Sequence, residues 1–318
     1  MAIGIRGAAF AAAMLAAAPA AALTTFTVDL SHPMGTVAPL GGDISKPDLA
    51  KPYKGSIAVP TFGAQAVYEQ LPNFATNRGY FAMGRLVLSD HHGTHIDAPG
   101  HFINDKATTE STTPDRRTLD ELTSDDLIGP VVYIDISARV RAILDKNGGR
   151  PSADVKVTNF SNTSPGVVTV ADINAIAPRL KKGTWIVVNS GWSRFFSGPD
   201  LATSPYVNGW NHPGFSRAAC DRLIEIENSR KIKISGLMMD NIGIDSGENA
   251  RGPKGDLLVD SWHCHVRGLQ RGWKFVENGA NLGQLAQAKA DSCTLFVGAP
   301  KTVAAAGGPA RVMAMCQK

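Results

Sequence analysis

The chain has 318 residues, of which 43% are hydrophobic and 19% are charged, and its formal net charge is +4. This composition suits a globular protein with a full core, built as one large domain or two small ones. The basic residues stand in short groups such as Lys181-Lys182, without interleaved aromatic residues, which argues against nucleic-acid binding.

The first 22 residues have the features of a secretory signal peptide. Arg6 supplies a positive charge, residues 7–18 form a short apolar stretch, and small residues lead up to Ala22. This pattern predicts cleavage after Ala22 and export, most simply to a bacterial periplasm. The alternative is a membrane anchor, for which an alanine-rich run of this length is short and weakly apolar. We expect no membrane span, and a mature domain at 23–318.

Predicted strands and helices alternate along the rest of the chain. A strand at 26–30 opens the domain, and residues 31–78, rich in proline and glycine, follow as a long and partly irregular insertion. Apolar runs and helical spacing then predict strands at 84–89, 131–136, 185–189, 232–239, 294–297 and 311–314, and helices at 169–176, 216–226 and 281–289. Because composition does not shift between these elements, we predict one α/β domain.

The four cysteines are Cys220, Cys264, Cys293 and Cys316, and no pair has the Cys-x-x-Cys spacing of a zinc knuckle or thioredoxin motif. In an oxidising compartment a pair can form a disulfide. Cys293 and Cys316 lie in two apolar, strand-like segments near the C-terminus, so they are the candidate pair.

Histidines are concentrated at 89–102, in the segment SDHHGTHIDAPGHF. Within it, His91, His95 and Asp97 offer imidazole and carboxylate groups, which are ligands for Zn, Mn or Fe. Gly93 permits a tight turn that lets the two imidazoles converge. The alternative is a polar loop with local hydrogen bonds only, which the repeated spacing disfavours. We leave His92 out of the ligand set.

The segment HHGTHIDAPGHF resembles the signature HxGTHxDxPxHF of the cyclase family of metal-dependent hydrolases. That family also has a distant half-site, a histidine followed twelve residues later by a glutamate, which His265 and Glu277 match, with His263 as a competing choice. The stretch at 277–282 is similar to the family's ENxxNL, and GIDS at 243–246 adds a further resemblance. The fold implied is a single-domain, cyclase-like α/β fold of the swivelling β/β/α type, with a mixed sheet and flanking helices.

The resemblance also implies a division of roles among these side chains. It implies one or two divalent ions per chain, Zn or Mn, and His101 as the catalytic proton shuttle. The metal ligands that it implies are His91, His95, Asp97, His265 and Glu277.

The implied activity is that of an amidohydrolase of the arylformamidase or isatin-hydrolase type, which acts on a non-peptide C–N bond of a small molecule with metal-activated water. A lactone or ester hydrolase on the same site is an alternative, and so is an exported metal- or ligand-binding protein without turnover. A serine hydrolase is disfavoured because Gly191-Trp192-Ser193 does not continue as a GxSxG elbow. Family members are commonly dimers or tetramers, so we expect a homo-oligomer.

Aromatic residues near these motifs in sequence are candidates for the walls of a substrate pocket. We predict Trp192 and Phe102 as substrate-binding residues. Tyr80, Phe81, Trp210 and Trp262 are further candidates, although core packing is the commoner role for each one taken singly.

Overall fold

The computed structural model describes residues 24–33, 36–38, 67–70, 83–102, 113–152, 154–158, 164, 166–196, 204–247 and 262–318. The predicted signal peptide and the pocket candidates Tyr80 and Phe81 lie outside these residues. The insertion predicted at 31–78 lies mostly outside them too, and its described part contains two short strands.

The described strands cover most of the segments predicted from apolar runs. They are β1 (Thr25–Asp29), β2 (Thr36–Ala38), β3 (Val67–Gln70), β4 (Gly84–Val87), β5 (His95–Asp97), β6 (Ile128–Asp135), β7 (Val167–Val168), β8 (Trp185–Asn189), β9 (Gly214–Phe215), β10 (Gly236–Met239), β11 (Lys274–Glu277), β12 (Thr294–Gly298), β13 (Gly307–Pro309) and β14 (Arg311–Gln317).

The described α-helices are α1 (Ser124–Leu127), α2 (Ser137–Leu144), α3 (Val170–Ile176) and α4 (Arg217–Arg230), and a π-helix covers His265–Leu269. The predicted cap of α3 is confirmed, because the Thr169 hydroxyl accepts from the Asp172 amide while the Asp172 carboxylate accepts from the Thr169 amide. None of the described helices is long and apolar enough to cross a membrane.

A nine-stranded mixed sheet organises the molecule, in the order β1-β14-β12-β6-β8-β10-β11-β5-β13. Its centre, β6-β8-β10-β11, is parallel, and the flanking pairs are antiparallel. The central strand β8 is buried along its whole length, which explains its continuous apolar sequence. The predicted α/β fold with a mixed sheet and flanking helices is confirmed.

The two faces of the sheet bury separate groups of side chains. On β8, Ile186 and Val188 pack with α3 and α4, whereas Trp185 and Val187 pack with side chains of β1, β12 and β14. The antiparallel end of the curled sheet therefore covers one face of the parallel centre, and helices cover the other. The candidate functional residues lie on β5 and β11 and on the loop that follows β10.

Two disulfides connect parts of this frame. Cys293 and Cys316 form the predicted bridge, with their Cα atoms 4.1 Å apart. Cys220 of α4 and Cys264, which immediately precedes the π-helix, form a second bridge with Cα atoms 5.6 Å apart, and the sequence did not indicate this pair. The second bridge ties the π-helix to α4.

Candidate metal centre

Strand β5 places His95 and Asp97 on the helix-covered face of the sheet. His95 lies opposite Glu277 of β11, and Asp97 lies opposite Phe275. Because alternate residues of a strand point to the same face, His95, Asp97 and Glu277 project to one side together. All three side chains are buried.

The turn before β5 brings His91 to the same carboxylate. Gly93 has φ of +62° there, a conformation that glycine adopts without strain. The Nε2 atoms of His91 and His95 each lie 3.3 Å from Asp97 Oδ1. His91 Nδ1 lies 2.9 Å from Asp90 Oδ1, and His95 Nδ1 lies 2.9 Å from the Gly93 carbonyl oxygen. Both imidazoles are therefore held at Nδ1 and present Nε2 to Asp97.

The π-helix supplies His265 from the other side of Asp97. His265 Nε2 lies 3.1 Å from Glu277 Oε1 and 3.8 Å from Asp97 Oδ2, and His95 Nε2 lies 3.5 Å from Glu277 Oε2. The two oxygens of Asp97 thus face different partners, Oδ1 towards the two histidines of the first motif and Oδ2 towards His265.

The loop after β10 holds this second half of the site in place. Asp245 Oδ2 lies 2.6 Å from His265 Nδ1 and accepts from the His265 backbone amide, and Asp245 Oδ1 accepts from the Cys264 amide. The Ile244 amide donates to Glu277 Oε1 at 2.9 Å. A carboxylate at Nδ1 orients an imidazole so that its Nε2 can bind an ion.

His265, rather than His263, lies at the site. His263 points away, and its Nε2 lies 2.9 Å from Asp221 Oδ1 on α4. His92 is fully buried and belongs to neither group of candidate ligand atoms among the described residues.

The donor atoms suit a divalent metal. Asp97 Oδ1, Asp97 Oδ2 and His91 Nε2 are buried and have no hydrogen-bond partner within the described part of the chain. A buried carboxylate without a compensating partner is costly, and a bound cation supplies one. Ligand atoms lie within 4.8 Å of one another in two groups, His91–Asp97–His101 and His95–Asp97–Glu277. Imidazole and carboxylate donors without thiolate are a ligand set for a divalent metal ion.

The pKa values of the clustered side chains show that the carboxylates favour positive charge at this place. Burial alone would lower the pKa of His91, but the negative charges of Asp97 and Asp90 beside it raise it to about 9. Burial likewise opposes protonation of His265, yet Asp245 and Glu277 raise its pKa to about 10. Burial would raise the pKa of Asp97, and the surrounding imidazoles instead hold it well below its ordinary value. The same carboxylates would favour a metal cation in this space.

His101 lies at the edge of the cluster, on the turn that follows β5. Its ring centroid is 4.1 Å from that of His91 and 6.4 Å from that of His265. Burial lowers the pKa of His101 to about 4, against the raising effect of Asp97, so the ring is neutral at neutral pH. A neutral imidazole at this place can accept a proton.

A cavity of about 290 Å³ opens onto the cluster. The candidate ligands His91, His95, His265 and Glu277 line it together with His101. Its apolar wall consists of Phe102, Ile242 and Trp262.

The aromatic side chains of this wall lie next to His265. The rings of Phe102 and Trp262 have centroids 5.8 Å apart, and each ring lies 5.2 Å from His265. Phe102 therefore lies in the cavity wall, and its role in substrate binding stays a prediction.

Trp192 is placed differently from its prediction as a substrate-binding residue. Its indole is fully buried in the core and donates to the Tyr206 carbonyl oxygen at 2.6 Å. Gly191, with φ of +70°, turns the chain after β8, and Asp240 accepts from the Trp192 amide. Closeness in sequence to the motif residues was therefore a poor guide for Trp192, which lies in the core and does not line the cavity.

Asp245 and Asn278 are among the site residues that were not assigned a role from the sequence. Asp245 holds His265, and Asn278 lines the cavity beside Glu277. Both stand in stretches that resemble the family, GIDS and ENxxNL, and that resemblance was the only sequence signal for them.

The family model named Cyclase matches residues 28–246. The chain belongs to the cyclase family. An isatin hydrolase of Roseibium aggregatum is 25% identical over 183 residues, which are 56% of this chain and 57% of that protein. The alignment therefore spans less than two thirds of the length of this cyclase-family relative.

Solved structures share the fold over nearly the whole chain. Isatin hydrolase A from Ralstonia solanacearum is 19% identical with a TM-score of 0.63, and the match covers 92% of each chain. An isatin hydrolase bound to the product analogue thioisatinate is 22% identical with a TM-score of 0.61, covering 92% of this chain and 93% of the other. These likenesses confirm the cyclase-like fold.

Proposed function

We propose that this cyclase-family protein is a metal-dependent hydrolase that acts on a non-peptide C–N bond, either in an aryl formamide or in a cyclic amide. Family membership and the isatin hydrolase relative support metal-dependent hydrolysis. The observation that carries the proposal is the buried carboxylate of Asp97, which lacks a hydrogen-bond partner among the described residues and stands between two sets of imidazole and carboxylate groups.

The proposed ligands form two sets around Asp97. His91 and His95 lie at Asp97 Oδ1, and His265 lies towards Oδ2 with Glu277 beside it, so these five residues would hold one ion or two. A divalent ion held there would supply an activated water and would polarise the carbonyl oxygen of the substrate.

The protein groups around the ligands would complete the reaction. His101, neutral and facing the cavity, is proposed to take the proton of the water and return it to the leaving nitrogen. Phe102 and Trp262 are proposed to flank the substrate and keep bulk water from the carbonyl. Asp245 keeps Nε2 of His265 directed at Asp97 and Glu277.

A substrate panel tests the bond type. Purified protein with Zn or Mn restored is assayed on isatin, an N-aryl formamide and simple aryl and alkyl lactones. We expect kcat/KM to be at least tenfold higher for one of the C–N substrates, which is a difference of about 1.4 kcal/mol in transition-state stabilisation. Faster turnover of lactones would replace the proposal with an ester hydrolase, and metal binding without any turnover would favour a binding protein.

We also propose that the protein is exported, with the first 22 residues as a cleaved signal. Both disulfides support this, because such bonds persist in oxidising compartments. The mature N-terminus is checked by mass spectrometry after expression with the full leader and fractionation. Cleavage after Ala22 and periplasmic recovery are expected, and an uncleaved cytoplasmic protein would contradict the proposal.

We propose a homo-oligomer, a dimer or a tetramer. Exposed apolar side chains on the outer face of the sheet support this, including Met313, Met315 and Ile128. Sedimentation equilibrium measures the mass directly, and a monomer at micromolar concentration would contradict it.

A further inference from the structure

Asn278 lies beside the candidate ligands, and its hydrogen bonds reach the turn before β5, Tyr206 and Asn241. It directly follows Glu277, it is only 2% exposed, and its φ is +55°. Its Oδ1 accepts from the Tyr206 hydroxyl at 2.9 Å, and its Nδ2 donates to the Gly93 carbonyl oxygen at 2.7 Å. Its backbone amide donates to the Asn241 carbonyl oxygen at 2.9 Å. The side chain thus spans from the end of β11 to the turn before β5.

The Gly93 carbonyl oxygen is shared with a candidate metal ligand. His95 Nδ1 lies 2.9 Å from the same oxygen that accepts from Asn278 Nδ2. When His95 donates from Nδ1, its Nε2 carries the lone pair that faces Asp97 and Glu277. This carbonyl oxygen therefore helps to orient the His95 ring, whose Nδ1 also lies 3.4 Å from Asn278 Nδ2.

A second bond fixes the same turn. Thr94 Oγ1 donates to the Asn278 carbonyl oxygen at 2.6 Å, and it accepts from the His32 amide. Side chain and backbone of Asn278 thus bind two successive residues of the turn, Gly93 and Thr94. The strand pairing of β5 with β11 does not include these residues, because its register begins at His95.

We propose that Asn278 is a positioning residue of the metal centre, which locks the Gly93–Thr94 turn to the end of β11 so that His95 and Glu277 present their ligand atoms to one ion. This inference rests on the proposed metal site. It assigns Asn278 no contact with the reacting atoms.

The test uses Asn278→Asp. Aspartate keeps the size of the side chain, the acceptor for Tyr206 and the tolerance for positive φ, but it replaces the donor to Gly93 by an oxygen that the carbonyl repels. The matched control is Asn281→Asp. Asn281 also has positive φ, 58°, and its Nδ2 also donates to a backbone carbonyl oxygen, that of Asp29, outside the site.

Two quantities are measured on the full chain. The first is the Zn²⁺ dissociation constant by competition with a chromophoric chelator. The second is the visible spectrum of the Co²⁺-loaded protein, which reports the ligand geometry. We expect Asn278→Asp to weaken Zn²⁺ binding about 10- to 100-fold, as loss of a partner that orients a ligand does, and to alter the Co²⁺ spectrum. Asn281→Asp should keep both at wild-type values even if its thermal stability falls equally.

Asn278→Gly provides the second variant, because glycine keeps the left-handed backbone and removes the side chain alone. We expect it to weaken Zn²⁺ binding as well. Wild-type affinity and spectrum in either folded Asn278 variant would overturn the proposal, and so would failure of both to fold, which would make Asn278 a residue of general stability. Absence of ion binding by the wild-type protein would instead refute the metal site itself.

Discussion

At the scale of single residues, Asp97 is the group on which the candidate site depends. Its two oxygens face different sets of ligands, and neither has a hydrogen-bond donor among the described residues. The amide of an Asp97→Asn variant would keep the shape and lose the charge, so we expect bound Zn or Mn to fall at least about tenfold.

Elemental analysis of the purified variant measures that loss. Asp135→Asn is the matched control, because Asp135 also ends a strand and accepts hydrogen bonds, from Tyr133 and Asn189, away from the cluster. Undiminished metal content in Asp97→Asn would remove Asp97 from the ligand set.

His101 carries the proposed proton transfer. We expect His101→Ala to keep its metal and to lose about 10²- to 10⁴-fold in kcat, the usual contribution of a positioned acid–base group. Its control is His263→Ala, since His263 pairs with Asp221 and should be dispensable for both metal binding and turnover.

Steady-state kinetics and metal analysis on the same preparations separate the outcomes. Full activity of His101→Ala would refute the shuttle. Loss of metal from His101→Ala would show that His101 is a ligand. Its ligand atom lies within 4.8 Å of those of His91 and Asp97, which permits that role.

The sequence predicted the site residues that lie close together in one short motif. It did not predict the residues that approach one another only when the chain folds. His91, His95 and Asp97 are close in the chain, and their spacing predicted their convergence. The proposed role of Asn278 depends on a hydrogen bond to a carbonyl oxygen 185 residues away in the chain, which no local pattern specifies.

At the scale of elements, the π-helix that carries His265 is held from two sides. Asp245 binds its first turn, and the Cys220–Cys264 disulfide joins it to α4. We expect a Cys220→Ser, Cys264→Ser double variant to lose about 2–5 kcal/mol of unfolding free energy, and also to bind metal more weakly because His265 loses its anchor.

The Cys293→Ser, Cys316→Ser double variant is the comparison for that experiment. This disulfide lies in the antiparallel end of the sheet, and the core around it does not include His265. Its removal should lower stability in urea denaturation while leaving metal affinity unchanged. Equal metal affinity in both double variants would show that the Cys220–Cys264 bond does not support the site.

Two predicted elements differ from the structure for identifiable reasons. The helix predicted at 281–289 is a 3₁₀ helix, Leu282–Gln287, in which Leu282 and Leu285 are buried at the three-residue spacing of that helix. The strand predicted at 232–239 begins only at Gly236, because the preceding Ile234 amide bonds the Glu227 carboxylate and not a neighbouring strand. In both cases tertiary contacts, which the local sequence pattern does not contain, set the type or the first residue of the element.

At the scale of the whole molecule, the alternation of strands and helices predicted the fold class, and it did not predict the order of strands. The short strand β5 pairs with β11 and with β13, which come far later in the chain. This pairing brings the first histidine motif against Glu277. The family resemblance predicted this contact between the first motif and Glu277, whereas the local sequence patterns alone did not.

The metal dependence of turnover decides whether this protein is a metal-dependent hydrolase. Metal content of the purified protein is measured by elemental analysis, and isatin and N-aryl formamide turnover is followed before chelation, after chelation and after Zn or Mn is restored. We expect one or two ions per chain, loss of turnover when the ions are removed, and recovery of turnover when they are restored. Turnover that survives complete removal of the metal would contradict this expectation.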